Sequence, residues 1–396
     1  MSTSVEQMRS YAGPALLSFG FRPFFLGGAI WAVVAVTLWL PTMAGSLTLP
    51  TAFNPFEWHA HELLYGFLPA VVAGFLLTAV PNWTGRLPIL GTPLLLLFLL
   101  WIMGRIAVMT SAVTGLWFAA AVDLGFLASL IAVIAREVIA GRNLRNLRVL
   151  VLVGLLLVGN AVFHVEAGLG SGSGYGKRIG IAAAVLLISL IGGRIIPSFT
   201  RNWLVKRGPG RLPVPFQRFD AFAVVAAAVA LISWILAPDN IPTAILLLIA
   251  GALHAIRLAR WAGERTAPER MVLVLHVGYA FVPLGFFLVS LSIFAPNVVS
   301  SSGALHGWTV GAIGLMTLGV MTRASLGHAG RGLTATWPIM ALYAAALIAA
   351  LARIMAAFEI ARMPMLYVSA AAWAIAFGGF VLVYWPLLTR PRPQYS

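Results

Sequence analysis

Cysteine is absent from the 396-residue chain, which excludes disulfides, iron–sulfur clusters and thiolate-bound metal. Any metal the chain holds must sit on histidine, methionine, tyrosine or carboxylate. Charge is nearly as scarce: 9% of residues are charged and 61% are hydrophobic, whereas a soluble domain is about a quarter charged. No Gly-rich loop with a following Lys-Ser/Thr pair is present, since GSGSGYGK at 170–177 lacks the spacing; a nucleotide-driven pump is not expected. The first twenty residues, MSTSVEQMRSYAGPALLSFG, lack the basic start and continuous apolar core of a cleaved signal peptide. Insertion is therefore expected to rely on the first spanning helix.

What the chain has instead is a series of apolar runs, each long enough to cross a ~30 Å hydrocarbon core as a helix. They fall near 23–42, 59–80, 90–109, 114–135, 148–168, 178–198, 219–237, 241–262, 271–295, 303–323, 335–356 and 363–389. The polar–apolar alternation of a membrane barrel is missing. The expected fold is an all-α polytopic membrane protein of about twelve transmembrane helices, with residues 1–396 forming one transmembrane domain. The net charge of +15 does not point to nucleic acid, because of where it lies. With the N-terminus inside, the inner segments carry about 20 of the 26 basic residues. The outer ones carry Arg105, Lys177, Arg178, Arg353 and Arg362, and Arg194 lies within a helix. That bias predicts cytoplasmic termini, with the excess charge meeting anionic lipid headgroups.

A repeat runs through the chain. His61, Gly66, Gly74 and Gly85-Arg86 recur with identical spacing as His306, Gly311, Gly319 and Gly330-Arg331. TAVPNWT at 78–84 resembles RIIPSFT at 194–200, and GRLP occurs at both 85–88 and 210–213. The matches suggest three four-helix units, approximately 20–136, 146–262 and 270–389, inserted in the same sense.

The seven histidines sort by depth once the spans are oriented. His59, His61, His164 and His306 share the outer layer, His254 and His276 an inner one, and His328 falls in the following cytoplasmic loop. A lone membrane histidine commonly hydrogen-bonds across helices or sits among headgroups. Layers of them, converging from different helices, suit a metal or an axially ligated haem. Residues two apart point about 200° apart on a helix, so His59 and His61 should not serve one metal unless the helix starts between them. Glu62 and Glu166 are intramembrane carboxylates able to bind metal or relay protons. Tyr65, one turn after His61, is placed to bond a ligand or donate a proton; interfacial tyrosine is also common. Arg194 and Arg323, near the inner ends of their helices, could pair with haem propionates or simply snorkel to headgroups.

Four blocks carry a resemblance: FRPFFLGGAIWA (21–32), WHAHELLYGFLPAVVAGFLLTAVPNWTGR (58–86), GGRIIPSFTRNW (192–203) and ALHGWTVGAIGLMTLGVMTRASLGHAGR (304–331). They resemble the NnrS family of bacterial inner-membrane proteins, with similarity from about residue 20 to 388. The resemblance implies haem b, one or two, and copper, together with a role in denitrification and defence against nitric oxide. Within the matching motifs it implies His59, His61, Arg194, His306 and Arg323 as site residues; His164, His254 and His276 rest on depth alone. Three four-helix units with histidines on helices 2 and 10 also look like the pseudo-threefold catalytic subunit of haem–copper oxidases, by architectural analogy. The paired histidines late in helix 6 and in helix 7 of those proteins are missing here.

Three functions compete. The first is a nitric oxide reductase-like enzyme, with an outer site of His59, His61, His164 and His306, protons from Glu62 or Glu166, electrons from quinol, and a second haem on His254 and His276. The second is a non-enzymatic haem protein that captures nitric oxide or protects cellular iron. The third is a transporter, whose expected inverted repeat with broken helices is not visible.

Overall fold

The computed structural model describes residue 11 and residues 13–142, 146–172 and 174–391. Residues 1–10 and 12 of the N-terminal start, and Arg9, Arg145 and Arg392 among the inner basic residues, lie outside the described residues. Among the described residues are twelve helices long and apolar enough to span a membrane. We label them α1 (Phe21–Met43), α2 (Pro55–Pro81), α3 (Thr92–Met109), α4 (Leu116–Ala140), α5 (Leu147–Leu169), α6 (Tyr175–Leu204), α7 (Arg218–Leu236), α8 (Ile241–Ala259), α9 (Arg270–Phe294), α10 (Ser301–His328), α11 (Trp337–Ala357) and α12 (Arg362–Thr389). No strand occurs among the described residues. The chain is an all-α polytopic membrane protein, because only helices satisfy every backbone group within a single apolar segment.

Several spans are longer than their apolar runs, and capping explains why. α2 begins at Pro55, four residues before the apolar run at 59. The Asn54 side chain accepts from the Phe56 and Glu57 amides at 3.0 Å each, and the Asn54 amide donates back to Glu57 at 3.3 Å. Pro55 then occupies the first helical position, where no amide is needed. α10 is capped by Ser300, which accepts from the Gly303 amide at 3.1 Å, and it continues to His328. His328 is therefore the last helical residue, not a loop residue, and its ring lies against Phe19 and Phe21.

Three spans widen from α to π geometry: α2 at Glu62–Phe67, α6 at Ile188–Gly192 and α10 at Gly307–Gly314. A π turn inserts a residue and frees backbone carbonyls, which must find other donors or strand a polar group in the interior. In α2 the Trp101 indole supplies one, donating to Gly66 O at 2.9 Å.

The described chain forms two compact units. The first comprises Met1–Gly180, Met321–Gly332 and Phe380–Ser396; within it α1 and α4 pack on α2, α3 on α4, and α4 on α5. The second comprises Ile181–Val320 and Leu333–Gly379, with α7 on α8, α8 on α9, α9 on α10 and α10 on α11.

Candidate functional site

The wide turn of α2 starts where the capped helical segment Pro55–His61 ends. His61 and Glu62 flank that junction, and both are fully buried. The His61 ring is boxed by Phe53 (centroids 5.2 Å apart), Phe163 (5.4 Å) and His164 (4.9 Å). Around it α3 supplies Arg105, α4 supplies Asp123, and α5 supplies Asn160 and His164, all at most 2% exposed. The six polar side chains form one connected network.

Its bonds converge on Asp123 and His61. Arg105 donates from Nη1 to both oxygens of Glu62 at 2.8 and 2.9 Å, and from Nη2 to Asp123 Oδ1. Asn160 Nδ2 donates to Asp123 Oδ2 at 2.7 Å. The same Oδ2 lies 3.2 Å from His61 Nε2 and 3.1 Å from His164 Nε2. His61 Nε2 is also 3.0 Å from Asn160 Oδ1, while its Nδ1 is 2.9 Å from Glu62 Oε1. Both ring nitrogens of His61 thus face oxygen acceptors, yet a neutral imidazole has one N–H to donate. Two carboxylates against one guanidinium leave the cluster one negative charge in excess. A buried excess charge is strongly unfavourable, so the arrangement calls for one more positive charge, supplied by a proton on His61, Glu62 or Asp123 or by a metal ion between the ligand atoms.

The donors suit a metal. One ligand atom each from His61, Asp123 and His164 lie within 4.8 Å of one another. Two imidazoles and a carboxylate suit copper, zinc or iron without any thiolate. Glu62 on Nδ1 is the usual carboxylate partner that orients a ligating histidine. A porphyrin does not fit the same nitrogens. Axial ligation needs a ring nitrogen facing an open slot, whereas here both Nε2 atoms turn onto one carboxylate inside an aromatic box.

The remaining residues singled out in the sequence are placed elsewhere. His59 stacks on Trp39 of α1 with ring centroids 4.1 Å apart, away from the network, as the helix starting before both histidines requires. His306 lies in the second unit, its Nδ1 donating to Ser302 O at 2.9 Å. Tyr65 donates to Gly176 O at 2.6 Å. Glu166 accepts from the Tyr175 and Gly176 amides at 2.7 and 3.0 Å, capping the start of α6. Arg194 is exposed on α6 and Arg323 half-buried on α10.

His254 and His276 both lie in the second unit. Arg257 Nη1 donates to the Tyr279 hydroxyl at 2.9 Å, which stands 2.9 Å from His254 Nδ1, and His254 Nε2 donates to Ala223 O at 3.2 Å. Both His254 nitrogens are engaged, so axial ligation there would require breaking this chain. Arg257 also bonds Asp220 at 3.1 Å and the Ser189 carbonyl in the wide turn of α6 at 2.8 Å. His276 Nε2 donates to Thr200 Oγ1 at 2.8 Å, and its buried Nδ1 has no partner among the described residues.

Sequence reasoning missed Arg105, Asp123 and Asn160. The signal was available: Arg105 and Asp123 interrupt apolar runs, and ionisable residues inside a span are functional candidates by default. The position of Arg105 near the outer end of its span reads as a surface charge, whereas the side chain is 2% exposed.

The fold and site define a multi-pass membrane protein with a buried His–Asp–His group able to hold a metal ion. Residues 15–392 match the family described as NnrS protein, and the chain belongs to that nitric oxide-related family of membrane proteins. No curated protein matches it.

Proposed function

We propose that the chain is a bacterial inner-membrane protein of nitric oxide metabolism and nitrosative stress defence that holds one metal ion on His61, His164 and Asp123 and binds nitric oxide there. The observation that carries this reading is the facing of both His61 nitrogens onto acceptor oxygens within a cluster one negative charge in excess. A copper or iron ion at these donors supplies a centre that binds a diatomic molecule. The protein does the rest: Glu62 orients His61, Arg105 holds both carboxylates in place, and Phe53 and Phe163 exclude water.

Reduction of nitric oxide with electrons from quinol is the second reading, favoured by Glu62, a carboxylate one hydrogen bond from His61. Two nitric oxide molecules, two electrons and two protons would yield nitrous oxide and water, with quinol oxidised to quinone.

Metal content of the purified chain, measured with nitric oxide binding and with consumption in the presence of quinol, tests both. The expected result is about one metal per chain, lost in His61→Ala and His164→Ala and retained in His59→Ala. A metal-free wild type, or metal retained in a folded His164→Ala variant, overturns the site. Binding that stops at stoichiometry supports capture, and sustained quinol-dependent consumption supports reduction. Metal without any nitric oxide binding overturns the nitric oxide assignment.

A further inference from the structure

A second site lies in the first unit, where the start of α1 meets the ends of α10 and α12. A cavity of about 420 Å³ there is walled by Leu326, Ala329, Val383 and Leu387, with Arg22, Arg331 and Arg390 also among its lining residues. Among the described residues no carboxylate lines it. Its size falls in the range of about 300–1,000 Å³ typical of small-molecule sites.

The arginines are placed by the fold. Arg22 is 2% exposed and donates from Nη1 to the carbonyls of Ala15 (3.1 Å), Leu388 (3.4 Å) and Arg390 (2.8 Å). It thereby serves the open carbonyls at the end of α12 and ties the chain before α1 to that end. Arg331 is set by the turn that stops α10. Gly330 adopts a left-handed φ of 71°, and the Arg331 amide donates back to Leu326 O at 3.0 Å, a Schellman-type closure. The Arg390 amide donates to Pro386 O at 3.1 Å. Among the described residues, neither Arg331 nor Arg390 enters an ion pair with a carboxylate.

Depth sets the occupant's chemistry. Arg22 is the second residue of a span, Arg390 follows the last residue of another, and Arg331 stands three residues past a third. All three therefore lie at headgroup level, above apolar walls that continue along α10 and α12. Guanidinium groups bind phosphate through paired, charge-assisted bonds, and an apolar wall beneath them suits an acyl chain. We propose that this cavity binds the phosphate of an anionic phospholipid, with the glycerol and first methylenes of its chains against Leu326, Val383 and Leu387. This site is independent of the metal centre.

The full chain, purified in neutral detergent, is presented with short-chain phosphatidylglycerol, phosphatidylcholine or inorganic phosphate, and retained adducts are counted by native mass spectrometry. Phosphatidylglycerol is expected to be retained over phosphatidylcholine. Its affinity should fall about five- to tenfold for each guanidinium removed in Arg331→Gln and Arg390→Gln, and recover in part with lysine at both positions. Equal retention of the two lipids, or undiminished binding in the folded double variant, overturns the proposal. Inorganic phosphate that binds as tightly as phosphatidylglycerol and displaces it overturns the lipid source and leaves a soluble phosphate site. If the double variant fails to fold, Val383→Trp fills the apolar wall instead; it should halve lipid retention or better, and unchanged retention overturns the proposal.

Discussion

His61 shows how much a single side chain depends on its neighbours for chemical meaning. Alone in a span, an imidazole is satisfied by one donor and one acceptor; here Glu62, Asn160 and Asp123 present only oxygen to it. Gly66 makes the arrangement possible. A methyl at that position would stand 2.6 Å from Arg105 Nη1, 2.9 Å from Trp31 Nε1 and 3.0 Å from Glu62 Oε2. Gly66→Ala should therefore push Arg105 off Glu62, lower stability by about 1–3 kcal/mol and reduce metal content. Thermal unfolding in detergent with metal analysis checks this, and an unchanged midpoint with full metal would sink it. His61 and Glu62 were legible in the sequence because a charged, histidine-rich stretch opening an apolar run is costly. The pairing was not, since Arg105, Asp123 and Asn160 stand on other helices and meet His61 and Glu62 only through packing.

At the scale of the element, the twelve spans were readable because apolar length is a local property with a direct physical meaning. Their ends were less so. The Asn54 cap starts α2 four residues before its apolar run, so that His61 already lies in a formed helix. Asn54→Ala should destabilise the protein by about 1 kcal/mol, seen as a small drop in unfolding midpoint. A fall several times larger would mean that Asn54 does more than cap. The wide turns could not be read from composition. ELLYGF and GWTVGAIG share only the His-x4-Gly spacing of the repeat and ISLIG lacks even the histidine, so nothing in composition announces a wide turn, and in α2 a tertiary partner, Trp101, takes up a freed carbonyl.

For the whole molecule, the distribution of basic residues makes a topological prediction that the lack of cysteine renders easy to test. Ser171→Cys, between α5 and α6, should react with an impermeant maleimide added to intact spheroplasts. Arg207→Cys, between α6 and α7, should react only after lysis. Reversed labelling would overturn cytoplasmic termini. Sequence by itself determined the membrane class, the number of spans and the family, because each is written in local runs and motifs. It also marked His61 and His164 as residues that needed a reason. Only the tertiary structure decided that these two meet at Asp123 while His59 turns to Trp39, and that Glu166 caps α6. The physical reason is that depth along a helix follows from counting residues, whereas the direction a side chain faces depends on how each helix is rotated against its neighbours. A wide turn at residue 62 changes that rotation without leaving a mark in the hydrophobic pattern.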